Sequence, residues 1–481
     1  MWGLSGGALA AAPPPPAPAL PGALARVPRQ RSRLAPAGVP TDLPSGAPPA
    51  AERSPAELGR LRRVRRRALG VVAVVAVAGG ALGAGAAARD AAEARRLSAL
   101  PGFVAPFGDP LTEAWRVEAA GDVRVAGGHL LHVEGGDLVA TDLVTGVRAW
   151  STPVDGLAPA DVTGCVGSDG ASPVVACVVG GERVVVLDAA TGAAVDVAAG
   201  ASEDVRAVRV LALDGDLVRL VAEPASLERI DPRTGDVRWS VALPPGVAGA
   251  QPAVEHGLVT FSGDVAAAVD GADGALLGVF PGSEVRRPDG AAAAVLRATP
   301  DGYGVWVAER RRFGDMTGRW FSRDGSELGA LRGWLAEPRA SDHSEPSVLL
   351  TVTDSPVLRA VGPDGALLWA ARPELGLPVV RVDGTAVLAS ADVLRRVDLV
   401  DGRTLWSVPL ADGDAVTTLS DGRHLLLLSA SVGGGRRLAA VALEDGRTAW
   451  RESVPASWEL VDAGAGDVVL VRDGPDVLAL R

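Results

Sequence analysis

The sequence predicts an all-β chain: a closed β-propeller built from four-stranded blades. Two observations carry this. Asp398-Leu-Val-Asp-Gly-Arg-Thr-Leu-Trp406 recurs with variation from Trp115 to the C-terminus, as in Asp231-Pro-Arg-Thr-Gly-Asp-Val-Arg-Trp239 and Asp142-Leu-Val-Thr-Gly-Val-Arg-Ala-Trp150. Its glycines, Gly146, Gly192, Gly235, Gly274, Gly325, Gly365, Gly402 and Gly446, lie 46, 43, 39, 51, 40, 37 and 44 residues apart. A period near forty with alternating apolar runs and Gly-rich turns is that of a propeller blade. The density of Gly, Val and Asp-Gly turns excludes a helical solenoid.

Each part of the repeat has a physical reason. The glycine adopts the positive φ of a tight turn without steric cost. The aspartate ahead of it (Asp142, Asp188, Asp231, Asp270, Asp398) is placed to accept turn N–H bonds, a structural role rather than a chemical one. One aromatic per blade, Trp115, Trp150, Trp239, Trp369, Trp406 and Trp450, is expected to pack between neighbouring sheets and bury roughly 200 Å². Asp196, Gly278 and Gly329 stand where the pattern calls for Trp, so those three blades are expected to be less tightly fastened. Nine modules can be registered. The 51-residue interval containing Tyr303, Trp306 and Phe313 is irregular, and eight blades are expected, with nine the literal count.

The ends complement each other. Leu111-Thr-Glu-Ala-Trp115 reads as a Trp-bearing strand without its predecessors, and Asp476–Arg481 as a strand without its Trp-bearing successor. Pairing the two would close the ring and leave no open edge.

The motif Asp-x-x-Thr/Asp-Gly-x-x-x-Trp resembles the repeat of pyrroloquinoline-quinone-like propellers, the superfamily of quinoprotein alcohol dehydrogenases and BamB. The resemblance covers residues 110–481 and implies the fold far more specifically than any activity. The quinoprotein enzymes place quinone and Ca²⁺ over the axis and use an adjacent-cysteine disulfide, a stacking Trp and an Asp base. This chain has no adjacent cysteines, and no cofactor is expected.

Ahead of the repeats the chain changes character. Residues 1–60, rich in Pro, Ala and Arg, have little to bury and read as a disordered cytoplasmic tail. Residues 61–67 are a basic flank. Residues 68–88 are 21 residues without a charged or polar side chain, long enough for one transmembrane helix. The arginines before it place the N-terminus in the cytoplasm and the propeller outside, in a single-pass arrangement. Ala84-Gly-Ala86 and Ala86-Ala-Ala88 also fit a signal-peptide cleavage site, but 67 residues precede the apolar run. Either reading exports the propeller. Residues 89–110 read as a linker, helical and then broken by Pro101, Pro106 and Pro110, and residues 111–481 as the propeller.

Charge follows the same division. Residues 1–100 hold 14 arginines and 5 acidic residues, a net +9; with −11 for the whole chain, residues 101–481 carry −20. A domain that acidic lacks the footprint of a nucleic-acid binder. Cys165 and Cys177 are placed either to form a disulfide in an oxidising compartment or to remain buried thiols. His129 and His132 point to opposite faces of one strand and cannot share a metal; His129, His256 and His424 follow similar turns and read as structural. Asp412/Asp414 and Asp270/Asp273 lack calcium-loop spacing. No nucleophile elbow, zinc or phosphate-loop motif is present.

One irregular stretch is a candidate partner-binding loop: Arg310, Arg311, Arg312, Phe313, Met316 and Trp320, basic and aromatic within an acidic domain. Asp342-His343-Ser-Glu345-Pro346 reads as an inter-blade loop. The functional expectation is a non-catalytic scaffold of the cell envelope with a membrane tether and a protein partner. The alternative is an exported carbohydrate-binding or quinoprotein-type oxidoreductase propeller.

Overall fold

The computed structural model describes residues 92–481 except 99, 101, 120, 169–172, 181–182, 196–206, 283–293, 308–316, 339, 354–356, 372–375, 391, 411–416, 431–434 and 462–467. The tail 1–60, the basic flank 61–67 and the apolar run 68–88 lie outside the described residues. Among the described residues no helix is long and apolar enough to cross a membrane.

Nine sheets follow one another, one more than the expected eight. In chain order the blades span residues 124–153, 166–188, 207–242, 251–281, 294–332, 334–370, 377–409, 417–454, and 458–480 with 113–118. Eight required one module to be incomplete. The 51-residue interval instead holds the outer strand of blade 4 and three strands of a complete blade 5, with residues 283–293 between the two blades and 308–316 between two strands of blade 5. Blade 2 has three described strands, with an isolated bridge from Leu187 to Ala194 at its outer side.

Each blade is an antiparallel meander running from an inner strand to an outer one, with the outer strand of blade 9 supplied by the other end of the chain. Glu113–Glu118 pairs antiparallel with Asp476–Leu480, with Trp115 opposite Ala479 and Val117 opposite Val477. Thr112 and Arg481 exchange both backbone hydrogen bonds, at 2.7 and 2.9 Å. The ring closes as the ends of the sequence imply.

The core consists of apolar layers between successive blades. Leu131, Leu138, Trp150 and Val175 fill one such layer and Leu220, Val259, Phe261 and Val269 another. In the second and third strands of most blades nearly every residue is buried, because both faces meet a neighbouring blade; Leu258–Ser262 and Val265–Asp270 show it. The outer strands alternate exposed with partly buried residues, as Val237–Ala242 and Thr404–Pro409 do.

Two segments depart from the repeat. The expected linker is docked on the ring. A short helix over residues 92–98 leads into Leu97, Phe103, Val104 and Phe107, all at most 3% exposed. Phe103 makes a parallel bridge to Ser420, and Val104 N–H donates to Ser420 O at 2.9 Å. The second departure is the segment between Trp334–Leu335, the inner strand of blade 6, and Leu349–Val352. It leaves blade 6, adds Ala340–Ser341 as a parallel fifth strand on the inner edge of blade 7, and returns.

Candidate functional site

The repeat residues meet at one junction between blades. Each Trp on an outer strand donates its Nε1–H to a backbone carbonyl in the turn of the next blade. Trp115 reaches Leu143 O at 3.0 Å, Trp150 reaches Ala189 O at 2.7 Å and Trp239 reaches Gly271 O at 3.0 Å. Trp369 reaches Leu399 O at 2.8 Å and Trp406 reaches Leu443 O at 2.7 Å. The same indoles lie on the turn glycines. A Cβ at Gly146 would sit 2.3 Å from Trp115, and one at Gly402 2.7 Å from Trp369. The glycine therefore answers two demands: a φ of +69° at Gly146 and +71° at Gly402, and room for the preceding blade's ring. The aspartates serve the turn. Asp142 Oδ1 accepts from the N–H groups of Val144 and Thr145 at 3.1 and 2.7 Å, and Asp398 Oδ1 does the same for Val400 and Asp401.

Trp450 is the exception that explains the docked strap. Blade 9 has no such turn, because its third strand ends the chain and its outer strand begins the ring. Phe107 O takes the place of the missing carbonyl, accepting from Trp450 Nε1 at 3.0 Å. Asp421, 3% exposed, holds Phe107 N–H with Oδ2 at 3.0 Å. Burial pushes the Asp421 carboxyl up, but bonds from the His424 ring and from the N–H groups of Phe107, His424 and Arg423 outweigh it and hold it below its ordinary value. The same carboxylate raises His424.

The positions that lack Trp are fastened in other ways. Gly278 pairs with Ala268 at the register that Trp occupies elsewhere, and Phe280, two residues on, supplies the ring, 5.1 Å from Phe321. At Gly329 the turn of the next blade closes directly on the backbone: a Cβ there would meet Asp364 O at 2.8 Å. Trp306, on the second strand of the same blade, donates Nε1–H to Gly333 O and stacks on Trp334 at 6.3 Å. Asp196 lies outside the described residues.

The candidate partner loop divides. Arg310, Arg311, Arg312, Phe313 and Met316 lie outside the described residues, between the strands Gly302–Val307 and Thr317–Ser322. Trp320 is not part of a contact surface. It sits on Thr317–Ser322, 1% exposed, among Trp306, Leu331, Leu349 and Val361. Its side chain falls on the inter-blade face of the strand, which sequence clustering alone does not reveal. Cys165 and Cys177 form a disulfide with an S–S distance of 2.02 Å, buried in the layer between blades 1 and 2.

Asp342-His343-Ser-Glu345-Pro346, expected as an inter-blade loop, lies with Glu337 and Ser341 in a group of polar residues at the inner edge of the ring. Arg381, 3% exposed, donates to Glu337 Oε2 at 3.4 Å, to Ser344 O at 2.8 Å and to Glu345 O. Ser341 Oγ–H donates to Glu337 Oε1 at 2.9 Å and lies 3.2 Å from His343 Nδ1. Gly384 N–H donates to Ser344 Oγ at 2.8 Å, and Asp383 N–H to Asp342 Oδ2 at 2.9 Å. The His343 ring stands edge-on to that of His256 at 4.5 Å. His256 belongs to the hairpin turn of blade 4, three blades from blade 7, so the segment spans part of the ring's inner circumference.

Serine, histidine and glutamate in one cluster invite a catalytic reading, which the geometry refuses. Glu337 and Ser341 both lie on the Nδ1 side of His343, the carboxylate 3.9 Å from that nitrogen. A triad needs the acid and the nucleophile on opposite ring nitrogens. Ser341 is also 4% exposed, closed to a substrate. Nor do these residues fit a quinone with Ca²⁺. The three guanidinium nitrogens of Arg381 are already engaged, and the disulfide lies between blades rather than over the axis. Among the described residues no group of three His, Cys, Asp or Glu side chains is placed to hold a metal ion.

Residues 294–481 match the family model described as outer membrane protein assembly factor BamB. The chain is a β-propeller, and its C-terminal blades are similar to that family's repeat. No curated protein matches its sequence. Among solved structures it is similar to BamB from Moraxella catarrhalis, at 13% identity and TM-score 0.37, over 77% of this chain and 100% of that one. It is similar to a quinohemoprotein alcohol dehydrogenase from Comamonas testosteroni, at 12% identity and TM-score 0.39, over 77% and 76%. It is also similar to a eukaryotic initiation factor, at 10% identity and TM-score 0.47, over 74% and 90%.

Proposed function

We propose that this protein is a non-catalytic, protein-binding scaffold of the cell envelope, with an extracytoplasmic propeller tethered through a single transmembrane helix at residues 68–88. The observation that carries the reading is the match of residues 294–481 to the family of an outer membrane protein assembly factor. Two further points support it. The polar groups at the inner edge of the ring are engaged with one another, which suits a rigid platform. The arginine cluster ahead of residues 68–88 sets the orientation. The contact surface is the segment holding Arg310, Arg311, Arg312, Phe313 and Met316, whose sequence carries positive charge within an acidic domain.

The test is affinity purification of the full-length protein from cross-linked membranes, beside a variant with those five residues changed to Ser. Trp320 is left in place because it is core. One envelope protein recovered with the unaltered chain and lost with the variant is the expected result. Equal recovery from both would remove the segment from the contact surface. Recovery of no protein from either would sink the scaffold reading.

A further inference from the structure

We propose that residues 340–348 form an acid-released brace across the inner edge of the ring, fastened to blade 7 by backbone pairing and to blade 4 by the contact between the His343 and His256 rings. The two attachments differ in kind. On blade 7 the brace has a parallel strand, Ala340–Ser341 against Val380–Arg381, and the guanidinium of Arg381 ties Glu337 to the carbonyls of Ser344 and Glu345. None of these bonds uses an imidazole. On blade 4 the recorded attachment is one imidazole edge against another at 4.5 Å, a contact that two cations cannot keep.

The charged surroundings of the two rings are unequal. His343 faces Glu337 and Asp342 of its own segment and Arg381 of blade 7, so a proton there meets charges of both signs. The helix over residues 92–98 adds Glu93 and Arg96, which act on Asp342. Glu345 and Asp383 flank the segment on the blade 7 side. His256 faces only His343 and Arg323, from the turn that follows Thr317–Ser322 in blade 5. The Arg323 guanidinium is itself fixed, donating to His256 O at 2.8 Å. Among the described residues no carboxylate acts on His256. Burial, then the neighbouring His343 and Arg323, depress its pKa from 6.5 to about 4.

The sign follows from linkage. The free imidazole binds its proton more tightly than the docked one, so the contact holds fully above about 6.5 and weakens as the pH falls toward 4. At pH 5 the opening equilibrium would rise about thirtyfold if the whole shift vanished on opening; Arg323 stays beside the half-buried ring, so a rise of about tenfold is expected. The brace then swings on its blade 7 attachment, and the inner edge of blades 4 and 5 becomes accessible.

Hydrogen exchange of the full-length chain at pH 7.5 and pH 5, corrected for intrinsic exchange, tests this. The readout is protection of residues 340–348 relative to Val393–Asp398, a strand of blade 7. The variant is His256→Asn, because Asn-Gly keeps the hairpin turn in which His256 has a φ of +52°. The expected result is an approximately tenfold loss of relative protection in the unaltered chain at pH 5. His256→Asn should give low protection at both pH values. Protection that does not change with pH overturns the proposal, as does a pH response that survives in His256→Asn. Loss of protection in both segments together would mean general unfolding and would also overturn it.

Discussion

Phe107→Ala tests whether the docked strap is part of the ring or an accessory to it. Phe107 is 2% exposed and packs with Val104, Leu419, Leu426 and Trp450 between blades 8 and 9. Truncating a buried phenylalanine costs about 3–5 kcal/mol from lost transfer energy and the cavity left behind. The backbone bonds of Phe107 to Trp450 and Asp421 do not use its side chain, so the lower end of that range is expected. Trp450→Ala should cost about as much, since it removes the ring and leaves Phe107 O without its donor. The two changes share one contact surface, so the double variant should cost about 1 kcal/mol less than their sum. Urea unfolding of residues 89–481, followed by fluorescence, measures all three. A Phe107→Ala variant within 0.5 kcal/mol of the parent, or strict additivity, would show that the strap does not serve as the ninth blade's missing turn.

Other expectations can be checked in the same material. Replacing Cys165 and Cys177 together by Ala should lower stability by about 3 kcal/mol, from the separation of 12 residues that the bond closes; an unchanged urea midpoint would contradict it. Gly402→Ala should cost well over 1 kcal/mol, because it adds a clash with Trp369 to an unfavourable φ. Gly135→Ala, with a φ of +64° but open space around it, should cost only about 1 kcal/mol, and equal losses would remove the stapling argument. His132 is 2% exposed with Nδ1 unpaired, and burial lowers its pKa. Its unfolded form binds the proton more tightly, so its contribution to stability is complete above about 6.5 and falls with pH below that. His132→Leu should flatten the acid side of the stability–pH curve, and an unchanged slope would refute the assignment.

How far the sequence reached depended on whether a feature repeats. The Gly positions were legible because eight copies of one turn select the same residue, and the Trp positions because six of the blades repeat it at one register. A turn needing positive φ under an indole leaves only glycine, as at Gly146 and Gly402. Ring closure was legible from the unmatched strands at Trp115 and Asp476. The blade number was not, because the 51-residue interval mixes a complete blade with long connections, and length alone does not separate the two. Trp320 was misread because a sequence neighbourhood does not say which face of a strand a side chain takes.

The sequence by itself determined the class of fold, the repeat, the acidic surface and the pairing of the chain's two ends, since each arises from local backbone preference or from composition. Only the tertiary structure decided that the stretch ending at Phe107 replaces a missing turn and that residues 340–348 join blade 7 to blade 4. Those contacts link Phe107 with Trp450 and His343 with His256 across hundreds and tens of residues. They follow from where the closed ring brings its edges, and no periodicity records a contact made once.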